Sequence, residues 1–184
     1  MTVLVTGSSR GIGRAIALKF SESGADVVLN CAHDTALLEE TLSDCRRHNP
    51  NAMAVRADVS DYDAVKGLFA QIENRFGGVD VLVNNAGIAQ AAVGLFTDMQ
   101  PDELERLLSV NTKSVFNCCH FAVPGMVRKK DGCIINISSI WGVSGASCEA
   151  VYSATKGAVN AFTKALGKEL APSGVRVNAI ACGV

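Results

Sequence analysis

The chain has 184 residues, with 17 Lys and Arg against 18 Asp and Glu for a formal net charge of −1. That near-neutral balance offers no broad field for gripping nucleic acid or anionic lipid. No run of eighteen apolar residues is present for a membrane span, and the N terminus enters a strand with no basic segment before it, so no signal peptide is expected. The length suits one domain, 1–184, burying roughly 70% of its unfolded surface without help from disulfides or metal, and a cytoplasmic location is expected.

Val3-Leu4-Val5 reads as a short strand, and Thr6-Gly7-Ser8-Ser9-Arg10-Gly11-Ile12-Gly13 turns it into a helix whose Ile12, Ala15, Ile16, Leu18 and Phe20 are expected to pack on a sheet. Gly7 permits the tight turn, Gly11 lets backbone approach a pyrophosphate, and Gly13 allows close helix packing, with the helix N terminus favouring anionic phosphate. A second strand over Ala25 to Asn30 ends in Asn30-Cys31-Ala32, which holds no acid to bond a ribose 2′-hydroxyl and repel a 2′-phosphate. Asp34 is placed to cap the helix beginning at Thr35. Ala52 to Ala57 is a third strand closing at Asp58-Val59, and Ser60-Asp61 introduces a helix over Tyr62 to Phe76 that stops at Gly77-Gly78.

Val79 to Val83 is the fourth strand, and Asn84-Asn85-Ala86-Gly87 follows it at the carboxyl edge, where ligands bind in open α/β sheets and small residues let them lie close. Pro101 to Val127 carries a long helical pattern through Leu104, Leu107, Leu108, Val110, Val115 and Phe116, with Pro101 suited to a first turn. Inside it sits Asn111, whose burial is costly unless its amide is bonded. Gly132 to Ile137 is a fifth strand delivering Ser138 and Ser139 to a point where a hydroxyl could meet an incoming carbonyl. The next helix runs to Leu170 and places Tyr152 and Lys156, four residues apart, on one face, with Phe162, Leu166 and Leu170 toward the core. A phenol is a poor acid or base near neutrality, and a nearby ammonium favours the phenolate. Gly174 to Ile180 is the sixth strand. The seven cysteines, at 31, 45, 118, 119, 133, 148 and 182, form no C-x-x-C pair and lack clustered histidines for zinc, so they read as reduced thiols and no metal is expected. Cys118, Cys119 and Cys133 read as core residues; Cys148 and Cys182 lie beside the candidate site, where an exposed thiol would be open to oxidation or alkylation.

Four motifs in order, T-G-x-x-x-G-x-G at 6–13, Asn84-Asn85-Ala86-Gly87, Asn111, and Ser139/Tyr152/Lys156, resemble the short-chain dehydrogenases/reductases from Val3 to Val184. The chain looks most like the 3-oxoacyl-[acyl-carrier-protein] reductase subgroup, and Trp141-Gly142 with Gly145 to Glu149 also resembles elongation factor P 5-aminopentanone reductases. The resemblance implies an α/β fold, a doubly wound parallel Rossmann sheet of order 3-2-1-4-5-6. It also implies a reversible hydride transfer between a nicotinamide cofactor and a carbonyl. In those roles Ser139 bonds the carbonyl oxygen with Ser138 in support, Tyr152 gives the proton, Lys156 assists it and bonds the nicotinamide ribose, and Asn111 anchors a water relay or is simply a satisfied core amide. Gly7, Ser9, Arg10, Gly11, Ile12, Gly13, Asn85, Ala86, Gly87, Tyr152 and Lys156 are the expected cofactor contacts, with Asp58 and Val59 at the adenine unless Asp58 is only a helix cap.

Arg10 stands where NADP-using relatives carry a basic residue, so NADP is expected over NAD, with His33 in the same region. Relatives also lead us to expect a homodimer or homotetramer built on the helices bearing Asn111 and Tyr152. Past Cys182, which stands where the family has proline, relatives continue through P-G-x-[VI]-x-T, a substrate lid and a seventh strand. The chain therefore reads as lacking those parts and leaving a sheet edge uncovered. Arg128, Lys129 and Lys130 are candidates to meet a carrier-protein substrate, though such a run also suits a solvated helix end. A non-catalytic nucleotide-binding or scaffold role is the rival from another class, favoured by the missing tail and disfavoured by the Ser-Tyr-Lys set.

Overall fold

A computed structural model describes residues 1–91 and 93–183; Ala92 and Val184, the last residue of the expected span, lie outside the described residues. Six strands, β1 (Thr2–Val5), β2 (Asp26–Cys31), β3 (Met53–Arg56), β4 (Val81–Asn84), β5 (Gly132–Ser139) and β6 (Val175–Cys182), form one parallel sheet in the order β3-β2-β1-β4-β5-β6. Successive strand residues point to opposite faces, so each central strand must be apolar on both. Leu4, Val28, Leu82 and Ile134 accordingly enter a core beneath one helix layer, while Val3, Val5, Val27, Leu29 and Val83 enter a second core on the other face. The first layer is built from α3 (Tyr62–Phe76), α5 (Ser114–Lys129) and α7 (Ala150–Leu170), the second from α1 (Gly11–Glu22) and α2 (Thr35–Arg46), and the short α6 (Trp141–Ser144) links β5 to α7.

Local signals behave as their chemistry requires. The Asp34 carboxylate accepts from Leu37 N and caps α2, and Asp61, not Asp58, caps α3 by accepting from Ala64 N at 2.8 Å. Gly77 closes α3 in the left-handed conformation.

Several expectations are corrected. Ile12 and Ala15 do not pack on the sheet: α1 turns Gly13, Ala17 and Ser21 inward and leaves Ile12 53% exposed at the carboxyl edge, where it faces the cleft described below. The long helical pattern is interrupted, because α4 (Pro101–Leu108) passes into one π-helical turn at Ser109–Lys113 before α5 begins. β5 also continues through Ser138 and Ser139 instead of ending at Ile137, since both residues pair with β6. Among the described residues β6 pairs with β5 alone, and Ile180 is 52% exposed. No helix among the described residues is long and apolar enough to cross a membrane.

Candidate active site

Two adjoining clefts open along the carboxyl edge of the sheet, and the first is shaped by the loop between β1 and α1. Gly7 adopts φ +63°, and a Cβ there would stand 2.8 Å from Ala86 Cα; a Cβ at Gly13 would stand 2.3 Å from Gly7 O. Both positions exclude a side chain by space, and Gly7 by its backbone angle as well. Thr6 fastens the loop to the end of β4: its Oγ1 accepts from Asn85 N and Ala86 N, both at 3.0 Å, while Asn85 Nδ2 donates back to Thr6 O and Gly7 O. Ser8 and Asn30 fasten it to β2 through Asn30 N to Ser8 Oγ at 2.9 Å, and the Asn30 amide donates to Val55 O and Ala57 O on the β3 side. The Asn30 Nδ2 group is thus spent inside the protein, leaving Cys31, Ala32 and His33 to face the cleft.

This first cleft measures about 540 Å³. Of the expected cofactor contacts, Gly7, Ser9, Arg10, Ile12, Gly13, Asp58, Val59, Asn85, Ala86 and Gly87 all line it. Gly11 does not; it sits exposed at the start of α1 with φ +57° and open space around it. Asp58 accepts from Ser60 N and Ser60 Oγ, which orients it without burying it. The N terminus of α1 and the exposed Arg10 give the cleft a positive end suited to phosphate. Its other wall carries Arg106 of α4, which sequence reasoning missed because one arginine among helical charges gives no signal.

The second cleft, about 400 Å³, brings together Ser139, Tyr152 and Lys156, and shares Ile12, Asn85, Gly87 and Ile88 with the first. Both serines border the cleft, but strand alternation turns their hydroxyls apart: Ser139 Oγ accepts from Trp141 N at 3.2 Å, whereas Ser138 Oγ donates to Lys156 O at 3.3 Å. One helical turn places Lys156 Nζ 5.8 Å from the centroid of the Tyr152 ring. Lys156 is 94% buried, being 6% exposed, and its ammonium donates to Ile137 O at 2.9 Å. Burial pushes its pKa below the usual lysine value, with nearby Cys182 acting in the opposite direction. Cys182 lines the same cleft. Gly142 completes the fit, since a Cβ there would meet the Lys156 carbonyl carbon at 2.6 Å.

Asn111 acts from behind the cleft wall. Its Oδ1 accepts from Ile88 N at 2.8 Å, and its Nδ2 donates to Ile88 O at 2.9 Å and to Thr155 Oγ1 at 3.3 Å. The π turn is what carries this buried amide inward. Asn111 Oδ1 and Lys156 Nζ both approach Gly87, at 3.3 and 3.5 Å from where its Cβ would be. Ile88 was not predictable, because it contributes only main-chain groups. Arg128 and Lys129 end α5 on the surface, where Lys129 pairs with Asp80 at 2.8 Å.

The family model described as short chain dehydrogenase matches residues 1–184. A 3-oxoacyl-[acyl-carrier-protein] reductase FabG of Staphylococcus aureus is 41% identical over 182 residues, covering 99% of this chain and 73% of that protein. A 3-oxoacyl-[acyl-carrier-protein] reductase of Synechocystis is 39% identical over 180 residues, covering 98% and 72%. Among solved structures, an NAD+-bound xylitol dehydrogenase superposes with a TM-score of 0.94 at 34% identity, covering 99% of this chain and 69% of that one.

Proposed function

Because the chain belongs to the short chain dehydrogenase family, we propose that it is an NADP(H)-dependent oxidoreductase that reduces a carbonyl to an alcohol, with a 3-oxoacyl thioester on a carrier protein as its substrate class. The observation that carries this reading is that Ser139, Tyr152 and Lys156 line one cleft that is continuous, through Gly87 and Ile12, with the cleft of the glycine loop. The 3-oxoacyl substrate is carried over from relatives about 40% identical.

When bound, the nicotinamide cofactor supplies the two electrons of the reduction. The chain's own groups do the rest. Ser139 Oγ donates to the substrate carbonyl oxygen and fixes its direction. The Tyr152 hydroxyl delivers the proton to that oxygen, and the Lys156 ammonium beside it stabilises the phenolate left behind. Burial of Lys156 limits screening of its field by water, while the same burial lowers its pKa and so works against the charged form; the ammonium is held by donation to Ile137 O at 2.9 Å. Asn111 holds Ile88 and Thr155 in place and so supports both clefts.

NADP over NAD is supported by the absence of an acid at Asn30, Cys31 and Ala32, and by Arg10 and His33 on the same cleft. A homodimer or homotetramer is supported by the half-exposed Leu108 and Phe116, the latter packed at 4.6 Å on Phe162 of α7. A cytoplasmic setting is supported by seven free cysteines and no membrane-crossing helix among the described residues.

The test is NADPH oxidation with an acetoacetyl thioester, comparing wild type with Tyr152→Phe. Turnover should vanish in the variant while NADPH affinity stays near wild type. A variant that still turns over would remove Tyr152 from the chemistry, and a wild type inert toward thioesters and simple ketones would sink the reductase reading.

A further inference from the structure

Hydrophobic packing holds a helix on a sheet without fixing its position along the strands, because apolar contact is non-directional. Yet α7 must set Tyr152 and Lys156 against Ser139 to within a fraction of an ångström for the chemistry proposed above. Beneath α7 the core contains a chain of polar side chains that none of the roles above uses. Asn84 Nδ2 donates to Asn136 Oδ1 at 2.9 Å, Asn136 Nδ2 donates to Thr163 Oγ1 at 2.8 Å, and the Thr163 hydroxyl donates onward to Val159 O at 2.7 Å. All three side chains are buried, with exposures of 4, 0 and 6%.

Each member stands on an element that delivers part of the site. Asn84 ends β4 immediately before Asn85, Asn136 precedes Ser139 by three residues on β5, and Thr163 lies seven residues, two helical turns, beyond Lys156 on α7. Thr163 therefore shares the inward face of α7 with Lys156. Removing an unbonded polar group from water is costly, so these side chains are expensive ornaments if only core filling were needed.

We infer, resting on the reductase reading, that Asn136 and Thr163 are positioning residues: their hydrogen bond, anchored to β4 through Asn84, locks α7 in register against β5 and so sets Tyr152 and Lys156 relative to Ser139. Two further bonds, Ser138 Oγ to Lys156 O and Lys156 Nζ to Ile137 O, join the same two elements nearer the cleft. The deeper pair supplies a second fixed point, which prevents α7 from pivoting about the first.

The test is Thr163→Val, which keeps the shape and removes the acceptor, alongside Thr163→Ser, which restores it. With an acetoacetyl thioester, kcat should fall by about tenfold or more in the valine variant. The KM for NADPH should change far less than kcat, because the glycine loop is untouched and only the Lys156 contact to the cofactor shifts, and the serine variant should recover kcat. A valine variant that melts earlier yet turns over like wild type below its melting point would overturn the inference and leave a purely structural bond. If wild type itself shows no turnover, the reductase reading fails first, and the register is then read without catalysis. The chain has two tyrosines, so in a Tyr62→Phe background ultraviolet titration follows Tyr152 alone. A midpoint displaced by Thr163→Val and restored by Thr163→Ser supports the positioning role; coincident midpoints in all three overturn it.

Discussion

Thr6→Val tests whether the glycine loop is held by its hydrogen bonds or merely by its glycines. Thr6 is 1% exposed, and its Oγ1 is the acceptor for two backbone N–H groups, those of Asn85 and Ala86. Valine matches threonine in shape, so the substitution deletes one acceptor and strands two donors in a half-buried segment. At about 0.5–1.5 kcal/mol for each net hydrogen bond, the loss is about 1–3 kcal/mol. For a domain of this size each kcal/mol lowers Tm by about 2–4 °C, giving a drop of about 2–12 °C. The two donors lie in the segment lining both clefts, so NADPH affinity, followed by fluorescence titration, should weaken in parallel with Tm. Thr6→Ser keeps the acceptor and should restore most of both. Wild-type melting and affinity in Thr6→Val would refute the reasoning, and a serine variant as damaged as the valine one would assign the effect to the lost methyl group.

Three further outcomes are expected. Gly13→Ala forces a Cβ to within 2.3 Å of Gly7 O and 2.4 Å of Asn85 Nδ2, so the loop must open at a cost of about 1–3 kcal/mol or more; calorimetry should show the lower Tm, and unchanged NADPH affinity would contradict the close packing. Burial alone would raise the Asp80 pKa, but the bonds from Lys129 Nζ and Thr2 N, both 2.8 Å, outweigh it and leave the carboxyl below its ordinary value. A depressed carboxylate contributes stability that is present above its unfolded pKa of about 3.9 and is lost as pH falls through the folded value. Asp80→Asn should therefore flatten the acid limb of the Tm profile slightly, the pair being partly exposed, and a profile identical to wild type would refute the assignment. Burial pushes the Cys118 thiol well up and the Cys119 thiol up to about 12, the bond from Asn84 acting in the opposite direction on Cys119. A disulfide reagent at pH 8 should leave both unmodified until guanidinium is added, as read by peptide mass, and labelling of either in the native protein would contradict that burial.

The individual strands, the glycine loop, the Asp34 cap and the pairing of Tyr152 with Lys156 were legible in the sequence because each rests on a local rule with a strong signal: a buried apolar run, a turn only glycine fits, a side chain capping its own helix, a four-residue helical spacing. The strand order and the grouping with Ser139 were implied by the family resemblance. What stayed hidden has a common cause. A 3.6-residue pattern reads straight through Pro101 to Val127, yet the chain inserts a π turn at 109–113, because carrying the Asn111 amide to Ile88 matters more than unbroken α geometry. The first turn of α1 reads as core-facing, but there the helix has already passed the edge of the sheet, so Ile12 meets the cleft.

Asn84, Asn136 and Thr163 interrupt apolar runs and count as small defects in any hydrophobicity pattern. Only the fold shows that the three defects are adjacent and bonded in a row, with Asn84 Oδ1 left without a partner at its end. Periodicity reports which face of an element is buried, and it is blind to where along that face two elements are pinned. That second kind of information resides in the polar residues a core can ill tolerate. In this chain they lie on the elements that deliver Asn85, Ser139 and Lys156, which is where a loss of register would be felt first.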